Sequence, residues 1–143
     1  MASYLPDERV DPAAALLEAI AYNGIPYRGE KDGVRFVFED GSRRWETVCR
    51  YAPQTVMIYG VYPFPVADKG RALHQANQVN ATLTRGGLFL SGERIVLRVS
   101  ADLFDAYSAQ ESITRALEYS AGVMKHFWTQ MEACAKQSGV FQH

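Results

Sequence analysis

The sequence predicts an α+β fold, and two observations carry that prediction. The hydrophobic period changes along the chain from helical to three strand-like runs, back to helical, to two further strand-like runs, and then to a long final helix. Within each group, successive strand-like runs are joined by short segments of turn-forming residues, so the expected five-stranded sheet is mainly antiparallel. With 143 residues, 48% of them hydrophobic and 22% charged, the chain has the size and mix of one globular domain, taken as residues 1–143.

Asp11-Pro12 pairs an N-cap with a proline in the first helical turn, where the missing N–H costs nothing. The helix runs to about Tyr22 with Ala13, Leu16, Leu17 and Ile20 on one face, and Asn23-Gly24 supplies a left-handed stop. Gly33 to Glu39 then alternates Val34, Phe36 and Phe38 onto one side, which is a strand. Asp40-Gly41 provides the positive φ angles of a tight hairpin turn, and Arg44 to Tyr51 returns with Trp45, Thr47, Cys49 and Tyr51 sharing a side. After the turn at Ala52-Pro53-Gln54, the run from Thr55 to Tyr62 is apolar on both faces. Val56, Ile58 and Tyr62 lie on one and Met57, Tyr59 and Val61 on the other, so this strand wants cover on both sides.

Pro63 and Pro65 stop the third strand, and Asp68 caps a second helix predicted from Lys69 to about Thr84. Its buried stripe is Ala72, Ala76, Val79 and Leu83, and Arg85-Gly86-Gly87 ends it. Leu88 to Leu90 and Ile95 to Val99 follow as a hairpin around Ser91-Gly92-Glu93. Ser108 and Glu111 form the S-x-x-E pattern of a capping box for the final helix, predicted as one piece to about Lys136. Ile113, Leu117, Ser120, Met124, Phe127, Trp128, Met131 and Ala135 make its apolar stripe.

Composition argues against several function classes. A formal net charge of -1, with Lys and Arg dispersed among Asp and Glu, offers no electrostatic footprint for nucleic acid or an anionic membrane. The N-terminus lacks the basic flank and apolar core of a signal peptide, and no apolar stretch approaches the ~20 residues that span a bilayer, so the expected location is cytoplasmic. Cys49 and Cys134 stand far apart without metal-ligand spacing and are expected as reduced, buried thiols. No nucleophile elbow, zinc-protease motif, phosphate loop or dinucleotide fingerprint is present, and neither a cofactor nor a catalytic residue is assigned. His74 and His126 point away from their helices' apolar stripes and read as exposed structural residues, while His143 is terminal.

Two features stand out as candidate sites. Asn77 and Asn80 lie on adjoining sides of the second helix. They either tie that helix to the following strand or line a groove for a partner. The aromatic side chains Trp45, Tyr51, Tyr59, Tyr62, Phe64, Phe89 and Trp128 are the second. Most must be core, yet the helices available do not cover both faces of a five-stranded sheet.

The element order, with Asn77-Gln78-Val79-Asn80 leading into Gly87-Leu88-Phe89-Leu90 and then Ile95-Val96-Leu97-Arg98 before a long helix, resembles the YbjN-like family, which shares the fold of type III secretion chaperones. Motif identity is confined to about residues 76 to 99. The resemblance implies a non-enzymatic bacterial cytoplasmic protein, loosely a regulator, with no catalytic residues to carry over. By analogy with secretion chaperones it also implies a homodimer with a protein partner.

The expected function is therefore a protein-interaction module, a homodimer using an uncovered sheet face to hold a partner, with Trp45, Tyr59, Tyr62, Asn77 and Asn80 as the partner-binding residues. The alternative is a carrier or enzyme for a small apolar ligand, enclosed between the sheet and the final helix near Trp128 and Phe89.

Overall fold

The computed structural model describes residues 10–136. Its elements run α1 (Pro12–Tyr22), β1 (Arg28–Glu30), β2 (Gly33–Asp40), β3 (Arg43–Ala52), β4 (Thr55–Val61), α2 (Lys69–Asn80), β5 (Gly87–Ser91), β6 (Arg94–Asp102), α3 (Ala109–His126) and α4 (Trp128–Lys136). The strands form one antiparallel sheet in the order β1-β2-β3-β4-β6-β5, with the helices packed on one of its faces. The α+β class and the order of the larger elements are as the sequence predicts.

The sheet has six strands rather than five. β1 is too short to show a period, and it pairs with β2 through Arg28↔Arg35 and Glu30↔Gly33. Lys31-Asp32 makes the turn between them, with Asp32 at φ +59. The Asp32 carbonyl accepts from the Tyr51 N–H at 2.9 Å, tying this edge to β3. The β2–β3 turn is Gly41-Ser42, flanked by the Asp40↔Arg43 pair, and of these residues Gly41 alone has a positive φ, +65. A glycine at the first central position suits the II′ geometry that matches strand twist.

The caps divide into kept and lost. The Asp11 carboxylate accepts from the Ala13 and Ala14 N–H groups, and Asp68 accepts from Arg71 N–H at 3.1 Å. The capping box at Ser108 does not form. The Ser108 hydroxyl and N–H both donate to Asp105, at 3.1 and 2.8 Å, while Glu111 pairs with Arg115. α2 also stops earlier than expected. Thr82 and Leu83 N–H groups turn back to the Val79 and Asn80 carbonyls, so Leu83 packs against the core from beyond the helix end.

The predicted single final helix is two helices with a break at Phe127. In an unbroken helix the Met124 carbonyl would accept from the Trp128 N–H. Instead it accepts from the Tyr62 phenol at 2.9 Å, a side chain inserted into the helical ladder. The break lets Trp128 turn into an aromatic cluster, 5.7 Å from Trp45 and 5.4 Å from Tyr62 between ring centroids, with Phe38 and Phe64 alongside.

The core lies between the helices and one sheet face, where Val34, Phe36, Trp45, Cys49, Val56, Ile58, Tyr62, Ile95, Leu97 and Val99 meet Leu16, Ile20, Ile113, Leu117, Met124 and Met131. Gly60 lets α3 approach closely, because a Cβ there would stand 3.1 Å from the Met124 sulfur.

Candidate functional site

Side chains alternate across a strand, so each residue that feeds the core has neighbours on the opposite face. The register sets those neighbours in rows. Glu46, Val61, Val96 and Phe89 lie side by side across β3, β4, β6 and β5, followed by Val48, Tyr59 and Arg98, and then by Arg50, Met57 and Ser100. Val37 on β2 stands opposite Glu46. Val48 and Val96 are buried, yet neither belongs to the helix-side core, so neighbouring side chains on their own face shield them. Met57, Tyr59 and Val61 are half-buried, Val37 is 43% exposed and Phe89 37% exposed. The outer face is thus an apolar patch reaching from β2 to β5.

Charge is graded across this face. Towards β1, Arg35 donates to Glu30 at 2.5 Å and to Glu46 at 2.6 Å, and Arg44 pairs with Glu39 at 3.2 Å. The hydrogen bond from Arg35 holds the Glu30 carboxyl below its ordinary range, and the same bond raises Arg35. On β6 the guanidinium group of Arg98 has no such partner. Among the described residues, Arg50, Arg85 and Arg98 make no salt bridge. Arg50 donates to the Lys31 carbonyl, and Arg85 donates to the Ser100 carbonyl at 2.8 Å while lying over the Tyr119 ring.

Two depressions join on this side. One, of about 520 Å³, is lined by Met57, Gly86, Gly87, Phe89, Arg98 and Ser100. The other, of about 620 Å³, includes Thr55, Asp102 and Phe104 and shares Met57 and Ser100 with the first. Together they form a trough along β4 and β6. Phe104 at its far end is 84% exposed, and Tyr107 on the same loop is 99% exposed.

Of the residues expected to bind a partner, Tyr59 lies on this outer face. Trp45 and Tyr62 do not, which corrects their placement. Both are buried on the helix-covered face, and the Tyr62 phenol is spent on Met124. Burial also pushes that phenol above its ordinary range. Asn80 ties α2 to β5: its Nδ2 donates to the Leu88 carbonyl at 3.0 Å and its Oδ1 accepts from the Leu88 N–H at 2.7 Å. Asn77 is exposed on α2, apart from the trough. The enclosed pocket near Trp128 and Phe89 is not formed, because Trp128 is packed among aromatic rings on the covered face and Phe89 sits on the opposite one.

The reading of the sequence did not single out Val48, Val96, Arg98 and Phe104. The first three share strand parity with Tyr59 across the sheet, a signal that becomes usable once the register is known. His74 and His126 are exposed on helices, and His143 lies outside the described residues. Cys49 and Cys134 are free and buried, and desolvation pushes the Cys49 thiol up to about 12. Among the described residues no group of His, Cys, Asp and Glu could hold a metal ion, and no helix is long and apolar enough to cross a membrane.

No family model matches the chain, and no curated protein matches its sequence. Its fold has a solved counterpart. The crystal structure of YbjN, a putative transcription regulator from E. coli, superposes with a TM-score of 0.68 over 84% of this chain and 90% of that one, at 10% sequence identity. The chain therefore has the YbjN-like fold expected from its sequence.

Proposed function

We propose that the chain is a protein-interaction module without catalytic activity, cytoplasmic and homodimeric, that holds a protein partner against the outer face of its sheet as an adaptor or regulator. The observation that carries this reading is the apolar patch of Val37, Met57, Tyr59, Val61 and Phe89, with Val48 and Val96 buried beneath it, over which no helix among the described residues is laid. Contiguous exposed apolar surface of a few hundred Å² marks interaction sites in soluble domains. The chemistry of the face supports binding rather than catalysis. It offers branched apolar groups and guanidinium groups, its carboxylates Glu30 and Glu46 are held by Arg35, and His74 and His126 stand on helices. The structural likeness to YbjN, itself described as a putative transcription regulator, supports this reading, and the homodimer is drawn from the resemblance to secretion chaperones.

Native mass spectrometry of the protein isolated gently from its own source tests the proposal. The expected species is two copies of the chain with a stoichiometric polypeptide partner. Val61→Glu on the outer face, and more mildly Tyr59→Ala, should release that partner, whereas Leu73→Glu on the exposed side of α2 should retain it. A partner kept by folded Val61→Glu, or a monomer carrying a small retained mass, would overturn the reading.

A further inference from the structure

Resting on the outer-face reading above, we infer that the partner segment seated in the trough is an extended strand of protein with the pattern apolar-x-acidic-x-apolar, its carboxylate held by Arg98. The length of the trough sets the pattern. From Asp102 to Val96 it follows β6 for about 20 Å, at ~3.3 Å of rise per residue, which seats about six extended residues. Alternate side chains of such a segment point down, about 6.6 Å apart. One meets Phe104 and Met57, the next meets Arg98, and the third meets Phe89, in the row of Val96.

Charge complementarity selects an acidic residue for the middle position. Arg98 projects from the trough wall without a carboxylate partner among the described residues, and it is the cation among the side chains lining the two depressions. An unpaired guanidinium of this kind donates to a carboxylate in a charge-assisted contact.

A second copy of the chain is a poorer occupant. On its own outer face Glu30, Glu46 and Glu39 are already held by Arg35 and Arg44, and Asp102, at the end of the trough, accepts from the Thr55 hydroxyl at 3.4 Å. A nucleic acid strand carries charge along its whole length, whereas here a single cation, Arg98, stands at the middle, with Asp102 towards one end and Glu46 in the row towards the other.

Panning a random eight-residue peptide library, displayed on phage, against the full-length chain tests the inference. Selected peptides should share an Asp or Glu two residues from an apolar residue on each side. The best of them, made as free peptides, should bind Arg98→Glu at least about tenfold more weakly, and should bind Arg115→Glu, an exposed α3 control, as well as they bind the unaltered chain. Far-UV circular dichroism should show both variants folded.

If the selected peptides are purely apolar and are lost on Val61→Glu but not on Arg98→Glu, the acidic motif is wrong and the interaction surface stands. If no selected peptide depends on Val61, Tyr59 or Arg98, both readings fail. Tighter, Arg98-dependent binding of a ten-nucleotide oligo-dT strand would overturn the inference in favour of nucleic acid.

Discussion

The Tyr62 phenol donates to the Met124 carbonyl at 2.9 Å, three residues before the break between α3 and α4. This one bond links the end of the central hairpin to the helix layer and occupies a carbonyl that the helical ladder would otherwise use. Tyr62→Phe keeps the ring in its stack with Phe64 and Trp128 but removes the donor. The expected outcome is a loss of about 1 kcal/mol in urea unfolding. Far-UV circular dichroism should gain helical signal, as the Trp128 N–H becomes free to take the vacated carbonyl. An unchanged unfolding midpoint would show that the bond does not hold the bend.

Asn80 completes β5 from the side. Strand β5 is a sheet edge, and the Asn80 amide takes both the N–H and the carbonyl of Leu88, so a side chain occupies a place where another strand could pair. Asn80→Ala should cost about 2 kcal/mol, the sum of two bonds to a half-buried peptide group. Because it also bares an edge, the variant should self-associate at high concentration. Sedimentation velocity across a concentration series checks this, and a monodisperse variant of unchanged size would count against the edge-guarding role.

Much of the fold was legible in local chemistry. Asp11-Pro12 opens α1 and Asp68 opens α2, both by side-chain caps that residue type alone announces. What escaped is non-local. β1 is three residues long and exists because Arg28 and Glu30 find Arg35 and Gly33, with no period of its own. The break at Phe127 depends on Tyr62, far away in the chain, and an apolar stripe cannot show it. Strand parity already separated Tyr62 from Tyr59, placing one with Val56 and Ile58 and the other with Met57 and Val61. Which side the helices cover is not written in any one strand, so aromatic character alone groups Trp45 and Tyr62 with Tyr59. Arg98 gains its meaning from the trough that Met57, Phe89 and Ser100 form around it, which the strand register assembles.

Thr47 is fully buried in β3 on the covered face, and its hydroxyl finds no partner among the described residues. A buried hydroxyl without a hydrogen bond costs free energy that a methyl group of the same shape does not. Thr47→Val should therefore raise stability by about 1 kcal/mol, read as a higher urea midpoint with an unchanged slope. A fall in stability would mean that the hydroxyl is satisfied in solution.

Cys49 gives the fold an alkaline limit. Desolvation raises its thiol from 9.0 to about 12, so the folded chain keeps this proton at pH values where the unfolded chain has lost it. A folded value above the unfolded one means that the stabilising difference is intact below pH 9. It is lost as pH rises from there towards 12, at about 1.4 kcal/mol per unit. Tyr62 is shifted in the same direction by burial and adds to the decline at higher pH. Between pH 7.5 and 10, urea unfolding of the unaltered chain should lose about 1.4 kcal/mol more than that of Cys49→Ala, whose absolute stability is lower because of the cavity. Parallel pH profiles for the two proteins would show that the thiol is not desolvated in the folded state. At neutral pH the same burial should leave the thiol almost unreactive towards a disulfide reagent until the chain unfolds.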